Sequence, residues 1–325
     1  MRKTKMSEKK EEMRGMFLNL GYNMWSDVPV KDWGNMPKED LSYVAAADSV
    51  RCDEEVWRRV TGRMSELKFN TVVIDLGEAC FYPSHPELAV KGTWSVDKMR
   101  KEIARLRSLG IEPIPKLNFS ASHDTWLKDY GRMVSTPDYY KVCSDVIRDV
   151  CEIFDKPRFL HLGYDEESFG HQSRYAYGVV RSGSLWWEDF LFFVKTVEKQ
   201  GVRPWIWSDY IWGHKDEFLA KMPKSVLQSN WYYRQWFDLE TIPKARRPHL
   251  ESFIDLEKAG FDQVPCGSNW ACDENMAGLV KFSRKNIAPE RLKGFLMTAW
   301  TATVPRFEPK LMKALELASA AYDAR

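Results

Sequence analysis

Two adjacent carboxylates, Asp165 and Glu166, close the segment FLHLGYDEE at residues 159–167. A short apolar run ending in an Asp-Glu pair reads as a buried strand that delivers acids to its own C-terminal end, a placement suited to general acid/base chemistry. An isolated pair of this kind at a strand end could equally face water, so its meaning depends on what the rest of the chain places beside it. Acids recur at two other run ends, as Asp75 with Glu78 and as Asp209. Tryptophan recurs at the last four, as Trp212, Trp231, Trp270 and Trp300. Indole faces beside carboxylates and amides suit a pyranose ring, whose C–H groups pack on the aromatic surface while its hydroxyls need directed partners. Any one tryptophan is by itself a core residue; four at the same end of successive strands point to a carbohydrate substrate.

The elements that must position these groups repeat from residue 16 onward: an apolar run, a polar or aromatic loop, then an amphipathic helix. The runs read as strands at 16–23, 70–76, 112–119, 158–164, 203–209, 225–232, 262–270 and 294–301. Their nearly continuous apolar character is that of strands covered on both faces. Helix starts are marked by Asp53, by Ser95 and by Thr136-Pro137, a cap followed by proline at the first helical position. Val56, Val60, Met64 and Leu67, then Met99, Ile103 and Leu106, then Val142, Val146, Val150 and Ile153 form the buried stripes. A fourth helix runs from about Trp187 to Gly201, and weaker patterns lie near 214–221, 249–259, 274–285 and 308–322. Eight strand-then-helix units predict an α/β fold, a single-domain (β/α)8 TIM barrel over residues 14–325 with a flexible N-terminal arm at 1–13. An open doubly wound sheet fits less well, because GYNMWSD after the first run is not a glycine-rich phosphate loop.

The 325-residue chain carries 48 basic and 46 acidic residues, so no excess charge draws it to nucleic acid or to an anionic membrane surface. No apolar run approaches the length of a membrane span, and no signal-peptide core precedes the first strand. The compartment stays open between cytoplasmic and secreted with a leader already removed. Six cysteines without a CxxC pair predict neither a disulfide scaffold nor zinc, and no cofactor is expected. The six histidines show no H-x-x-x-H spacing, so no metal is expected; His161 reads as a buried histidine orienting a neighbour. No G-x-S-x-G elbow supports a serine hydrolase.

The segment His161-Leu-Gly163-Tyr164-Asp165-Glu166 resembles the HxGGDE motif of the family 20 β-N-acetylhexosaminidases. Lys68-Phe-Asn70 leading to Phe81-Tyr-Pro83 and His85-Pro-Glu-Leu88 resembles that family's second-strand region, and Trp94 through Gly110–Pro115 to His123 its third. Arg14-Gly15, Trp207-Ser-Asp209 and Ala299-Trp300-Thr301 also match, so the resemblance covers roughly residues 14–320. It implies a retaining mechanism in which the substrate's 2-acetamido oxygen attacks the anomeric carbon, an exception to the two-carboxylate rule. Carried onto this sequence, Glu166 is the general acid/base and Asp165 orients the acetamido N–H. Neighbouring carboxylates disfavour each other's ionisation, which predicts a raised pKa that keeps one of the two protonated. Trp231, Trp270 and Trp300 wall the acetamido pocket, Arg14 grips sugar hydroxyls, and Asp75, Glu78, His123, His161, Tyr164 and Asp209 complete the expected substrate-binding set.

Departures from the family pattern stand at Tyr164 for the second glycine, Lys116 for a glutamate, Trp270 for a tyrosine and Ala302 near a missing glutamate. Tyr164 would place a phenol beside the catalytic pair. Two other readings remain at this level: a carbohydrate-binding barrel without turnover, and a glycosidase pairing Glu166 with Asp75, Glu78 or Asp209. The loop from Glu167 to Gly183, with His171, Arg174, Tyr175, Tyr177 and Arg181, is expected to shape the pocket, Arg181 being read as part of a surface excursion.

Overall fold

Eight short runs whose side chains are almost all buried form one parallel sheet in the computed structural model, which describes residues 12–34, 36–173 and 175–324. The strands are β1 Met13–Asn19, β2 Thr71–Asp75, β3 Glu112–Lys116, β4 Phe159–His161, β5 Arg203–Trp207, β6 Leu227–Ser229, β7 Cys266–Ser268 and β8 Gly294–Thr298. Their order is β6-β5-β4-β3-β2-β1-β8-β7. Bridges Gln228↔Gln263 and Trp231↔Cys266 join the two ends, so the sheet closes on itself. The fold is a (β/α)8 barrel. Residues 1–11 of the expected arm, and Arg174, lie outside the described residues.

The helices are α1 Glu54–Glu66, α2 Val96–Ser108, α3 Pro137–Ile153, α4 Phe169–Gln172, α5 Ser184–Lys199, α6 Ile211–Lys221, α7 Arg247–Lys258, α8 Asn275–Asn286 and α9 Glu308–Asp323. The three expected caps are in place. Asp53 accepts from the N–H groups of Glu55 and Val56, Ser95 from Lys98, and Thr136 from Tyr139, each worth about 1 kcal/mol of helix stability. The first strand begins at Met13, three residues earlier than the apolar pattern indicates, because Met13 pairs with Gly294 of β8. It also ends early, since the N–H groups of Leu20 and Gly21 both turn to the carbonyl of Asp75.

Side chains alternate across the sheet with the period of two that a strand imposes. Met16, Leu18, Val72 and Ile74 join the layer between sheet and helices, while Phe17, Val73, Ile114, Trp205, Trp207 and Leu296 fill the barrel interior. Three polar side chains are buried inside as well. Lys116 pairs with Asp75, and His161 stands between Trp205 and Trp207 at ring separations of 5.1 and 4.4 Å. This plug closes the barrel beneath the C-terminal strand ends, so the chemistry must sit above it.

Candidate active site

After β4 the backbone makes a sequence of left-handed turns: φ is +67° at Gly163, +69° at Tyr164 and +54° at Glu166. A bulky residue such as tyrosine adopts this conformation only when its surroundings impose it. Asn118 does much of the imposing. Its Oδ1 accepts from the N–H of Tyr164 at 3.1 Å and of Ser120 at 3.0 Å, while its Nδ2 donates to Asp165 at 2.9 Å. Residue 163 must be glycine for the same reason, since a Cβ there would lie 2.1 Å from Asn118 Oδ1. The N–H of Glu166 then donates to Asp209 at 2.8 Å.

The turns swing Tyr164 away from the cavity. Its ring packs on Trp186 and Phe190 of α5, 5.0 and 5.3 Å away, and is buried. The expected phenol beside the acids is therefore absent, because a positive φ at residue 164 sends its side chain into the helix layer. Asp165 and Glu166 instead enter a cavity of about 360 Å³. His123 Nε2 stands 3.5 Å from Asp165 and 3.3 Å from Glu166, and His171 Nε2 stands 3.4 Å from the other oxygen of Glu166. Trp25 holds the His123 ring by an edge contact at 5.2 Å.

Burial would raise the Glu166 carboxyl, but hydrogen bonding to His123 and His171 outweighs it and holds the group below the usual carboxylate range. The expected raised pKa is therefore reversed in the free protein, because the two imidazoles favour the ionised carboxylate. Burial would likewise lower His123, yet the charges of Asp165 and Glu166 lift it to about 9. Asp209 is pushed up to about 7, first by burial and then by the charge of Asp165. His123, Asp165 and Glu166 each offer one ligand atom, all within 4.8 Å of one another, and are the residues that could hold a cation.

Trp300, with φ +50°, lies above the barrel plug, 5.1 Å from Phe17 and 5.8 Å from Trp207. Trp231 stacks on Tyr233 at 4.9 Å, and Trp270 lines the same cavity at 49 % exposure. The three expected tryptophans thus meet in one cavity with Asp165 and Glu166, which are the acids that line it. His171 lines it from the loop after β4, whereas Tyr175 and Tyr177 line a second cavity of about 210 Å³.

Other expected members stand elsewhere. Asp75 is held by Lys116 within the barrel. Glu78 is fully buried and accepts from the N–H groups of Tyr22 and Asn23, bracing the loop that carries Trp25. His161 accepts from Gly163 N–H at 3.0 Å and so orients the turn that carries Asp165 and Glu166 from below. Asp209 reaches the site only through the Glu166 backbone. Arg14 is displaced furthest. It sits at the N-terminal mouth of the barrel, bonded to Asp323 at 2.7 Å and to the carbonyl of Leu67, because β1 carries it away from the strand's C-terminal end.

Several contributors escaped the sequence reading. Arg181, expected on a surface excursion, is 1 % exposed, and its guanidinium binds Glu167 and Asp189. Arg234 and Arg246 line the cavity from the segment joining β6 to α7, and His249 from the first turn of α7; only Arg234 had a signal in the sequence, its closeness to Trp231 and Tyr232.

No family model matches the chain. Among solved structures, an exo-β-N-acetylglucosaminidase from Vibrio harveyi superposes over 97 % of this chain and 55 % of its own, with a TM-score of 0.62 and 14 % identity. A chitobiase from Flavobacterium johnsoniae covers 84 % of this chain and 46 % of its own, at TM-score 0.62 and 16 % identity. Its fold is that of the family 20 β-N-acetylhexosaminidases. Dispersin B matches 84 % of this chain and 96 % of its own, at TM-score 0.59 and 15 % identity. In sequence, the lacto-N-biosidase of Bifidobacterium bifidum is 23 % identical over 203 residues, 54 % of this chain and 18 % of that one. The chain thus spans about half the length of the first two solved structures and under a fifth of that curated relative.

Proposed function

We propose that the protein is a glycoside hydrolase acting on terminal β-linked N-acetylhexosamine, with retention and with the substrate's acetamido group as nucleophile. One observation carries this reading: Asp165 and Glu166 are the acids in an indole-walled cavity, and a single imidazole nitrogen reaches both. A pair that brackets a glycosidic bond needs its second carboxylate across the sugar. Asp75, Glu78 and Asp209, the acids once available for that part, are bound to Lys116, to two backbone N–H groups and to the Glu166 backbone. Among the described residues no other acid lines the cavity, which supports a nucleophile supplied by the substrate. The shared fold supports the same reading.

In the mechanism, the acetamido oxygen attacks the anomeric carbon as the glycosidic C–O bond breaks, and Glu166 gives its proton to the leaving oxygen. Asp165, fixed by Asn118, accepts the acetamido N–H and stabilises the positive charge of the oxazolinium ion that forms. Glu166 then takes a proton from water, which opens the ion with overall retention. The free site stores the acid proton on His123, and the 3.3 Å contact to Glu166 is the route by which it returns.

The test is hydrolysis of a panel of 4-nitrophenyl β-glycosides by the wild type and by Glu166→Gln, with a thiazoline inhibitor and with a chelator. Turnover confined to 2-acetamido sugars, lost in the variant, blocked by the thiazoline and indifferent to chelation is expected. Turnover of sugars lacking the acetamido group would overturn the substrate-assisted step, loss on chelation would assign the His123 cluster to a cation, and no turnover would leave a binding barrel.

A further inference from the structure

The cavity mouth carries positive charge that no acid among the described residues pairs with. Arg234 and Arg246 both line it and are exposed, and among the described residues neither guanidinium has an ion pair or hydrogen-bond partner. Tyr232 lines the same wall. Only 2 % of this residue is exposed, yet its hydroxyl is buried without a partner. Both guanidinium charges act on that hydroxyl, opposing the rise that burial causes. His249, on the same wall, is held down at about 4 by burial and by Arg246, so at neutral pH it is a neutral neighbour. The two acids of the cavity are already engaged by His123 and His171. Donors at this wall therefore outnumber acceptors, and the missing partner has to come from outside.

Guanidinium forks match the paired oxygens of carboxylate, sulfate and phosphate, and a neighbouring phenol adds a third donor. Solvated rim arginines would account for Arg234 and Arg246 alone. They do not account for a buried hydroxyl left empty beside them. We propose that Arg234, Arg246 and Tyr232 form a subsite for an anionic oxygen group, a sulfate ester or a carboxylate, carried by the glycan whose hexosamine meets Asp165 and Glu166. The location of the hexosamine rests on the glycosidase reading; the charge preference does not.

Titration calorimetry on the full chain tests the two separately. The probes are N-acetylglucosamine, its 3-, 4- and 6-sulfates, and the disaccharide of N-acetylglucosamine β-linked to glucuronic acid. At low salt, at least one anionic probe is expected to bind about tenfold or more tightly than the neutral sugar. Whether it is a sulfate or the uronate identifies the group. That ratio should fall towards one in the Arg234→Gln/Arg246→Gln variant, fall less in Tyr232→Phe, and shrink in the wild type as salt screens the exposed guanidinium charges. Equal binding of every probe, or an advantage that survives in the double variant or in high salt, overturns the subsite. Arginine-dependent binding without hydrolysis of any β-N-acetylhexosaminide would keep the subsite and remove the glycosidase reading. Hydrolysis of neutral glycosides without an anionic advantage would do the reverse.

Discussion

Glu166 and Glu167 are neighbours in the chain and opposites in their surroundings. Glu167 is buried, and its two oxygens accept from the backbone of Ala121 and Arg181 and from the Arg181 guanidinium at 2.7 and 2.5 Å. Arg181 in turn donates to Asp189 at 3.0 Å and to the carbonyl of Phe119 at 2.7 Å, and Asp189 also accepts from Ser135 and Tyr140. The Glu166 carboxylate is a quarter exposed and, among the described residues, meets two imidazoles, both beyond 3.2 Å. The rear network gives each Glu167 oxygen two donors; the front one is under-bonded and shifted in pKa. The difference teaches how the site holds three left-handed residues without yielding. Strain at 163–166 is anchored from behind, which leaves the carboxylates in front with few bonds of their own.

The sharpest way to break this comparison is to change each neighbour's role. Glu166→Gln is expected to lower turnover by about 10²–10⁴-fold, the range for a positioned acid/base, with little change in the urea midpoint. Arg181→Met should do the converse. It leaves Glu167 and Asp189 buried and unpaired, which costs about 3–5 kcal/mol in urea unfolding. If Arg181→Met unfolds like the wild type, the rear network is not the anchor; if Glu166→Gln unfolds early, the front one is structural too.

A smaller effect sharpens the account of the front network. The folded pKa of His123, about 9, lies above its ordinary 6.5. Its attraction to Asp165 and Glu166 therefore stabilises the fold fully below pH 6.5, and this contribution is lost as pH rises through about 9. In the proposed mechanism the same proton goes to the leaving oxygen, so kcat/KM should fall roughly tenfold per unit above that pH. In His123→Gln, Glu166 loses one of the two imidazoles that hold its carboxyl down, His171 remaining, and its acid proton is no longer backed by the His123 imidazolium. The alkaline limb should then move to lower pH, as read from a pH–rate profile of each protein. An unmoved limb would show that the proton is not stored on His123.

Much of the front was legible in the sequence because its signals are local. Asp53, Ser95 and Thr136-Pro137 start helices whose apolar stripes are visible at helical spacing, and that fixes where strands end and which residues emerge there. Asp165, Glu166, Trp231 and Trp300 follow from those ends. The rear was not legible, because a charge in a polar loop carries no local sign of burial. Arg181 is buried only because two acids, 14 and 8 positions away, converge on it. Tyr164 misled for another reason: substitution pattern alone does not show that Asn118, 46 positions earlier, forces a turn that rotates the phenol outward. The reversed pKa of Glu166 has the same origin, since His123 and His171 reach it from two different loops.

Arg14 marks the far limit of the comparison and carries the smallest expected effect. It shares β1 with Phe17, which lies beneath Trp300, yet it points to the other mouth, where Asp323 of α9 and the carbonyl after α1 receive it. A contact partly open to solvent contributes little, and among the described residues it connects to the turn at 163–166 through the strand alone. Arg14→Gln should therefore keep kcat/KM within about twofold of the wild type and unfold far less readily than Arg181→Met in the same urea series. A large loss in KM for Arg14→Gln would mean that the strand transmits strain from one mouth of the barrel to the other. The anchor of the site would then extend beyond the Glu167–Arg181–Asp189 network to the whole of β1.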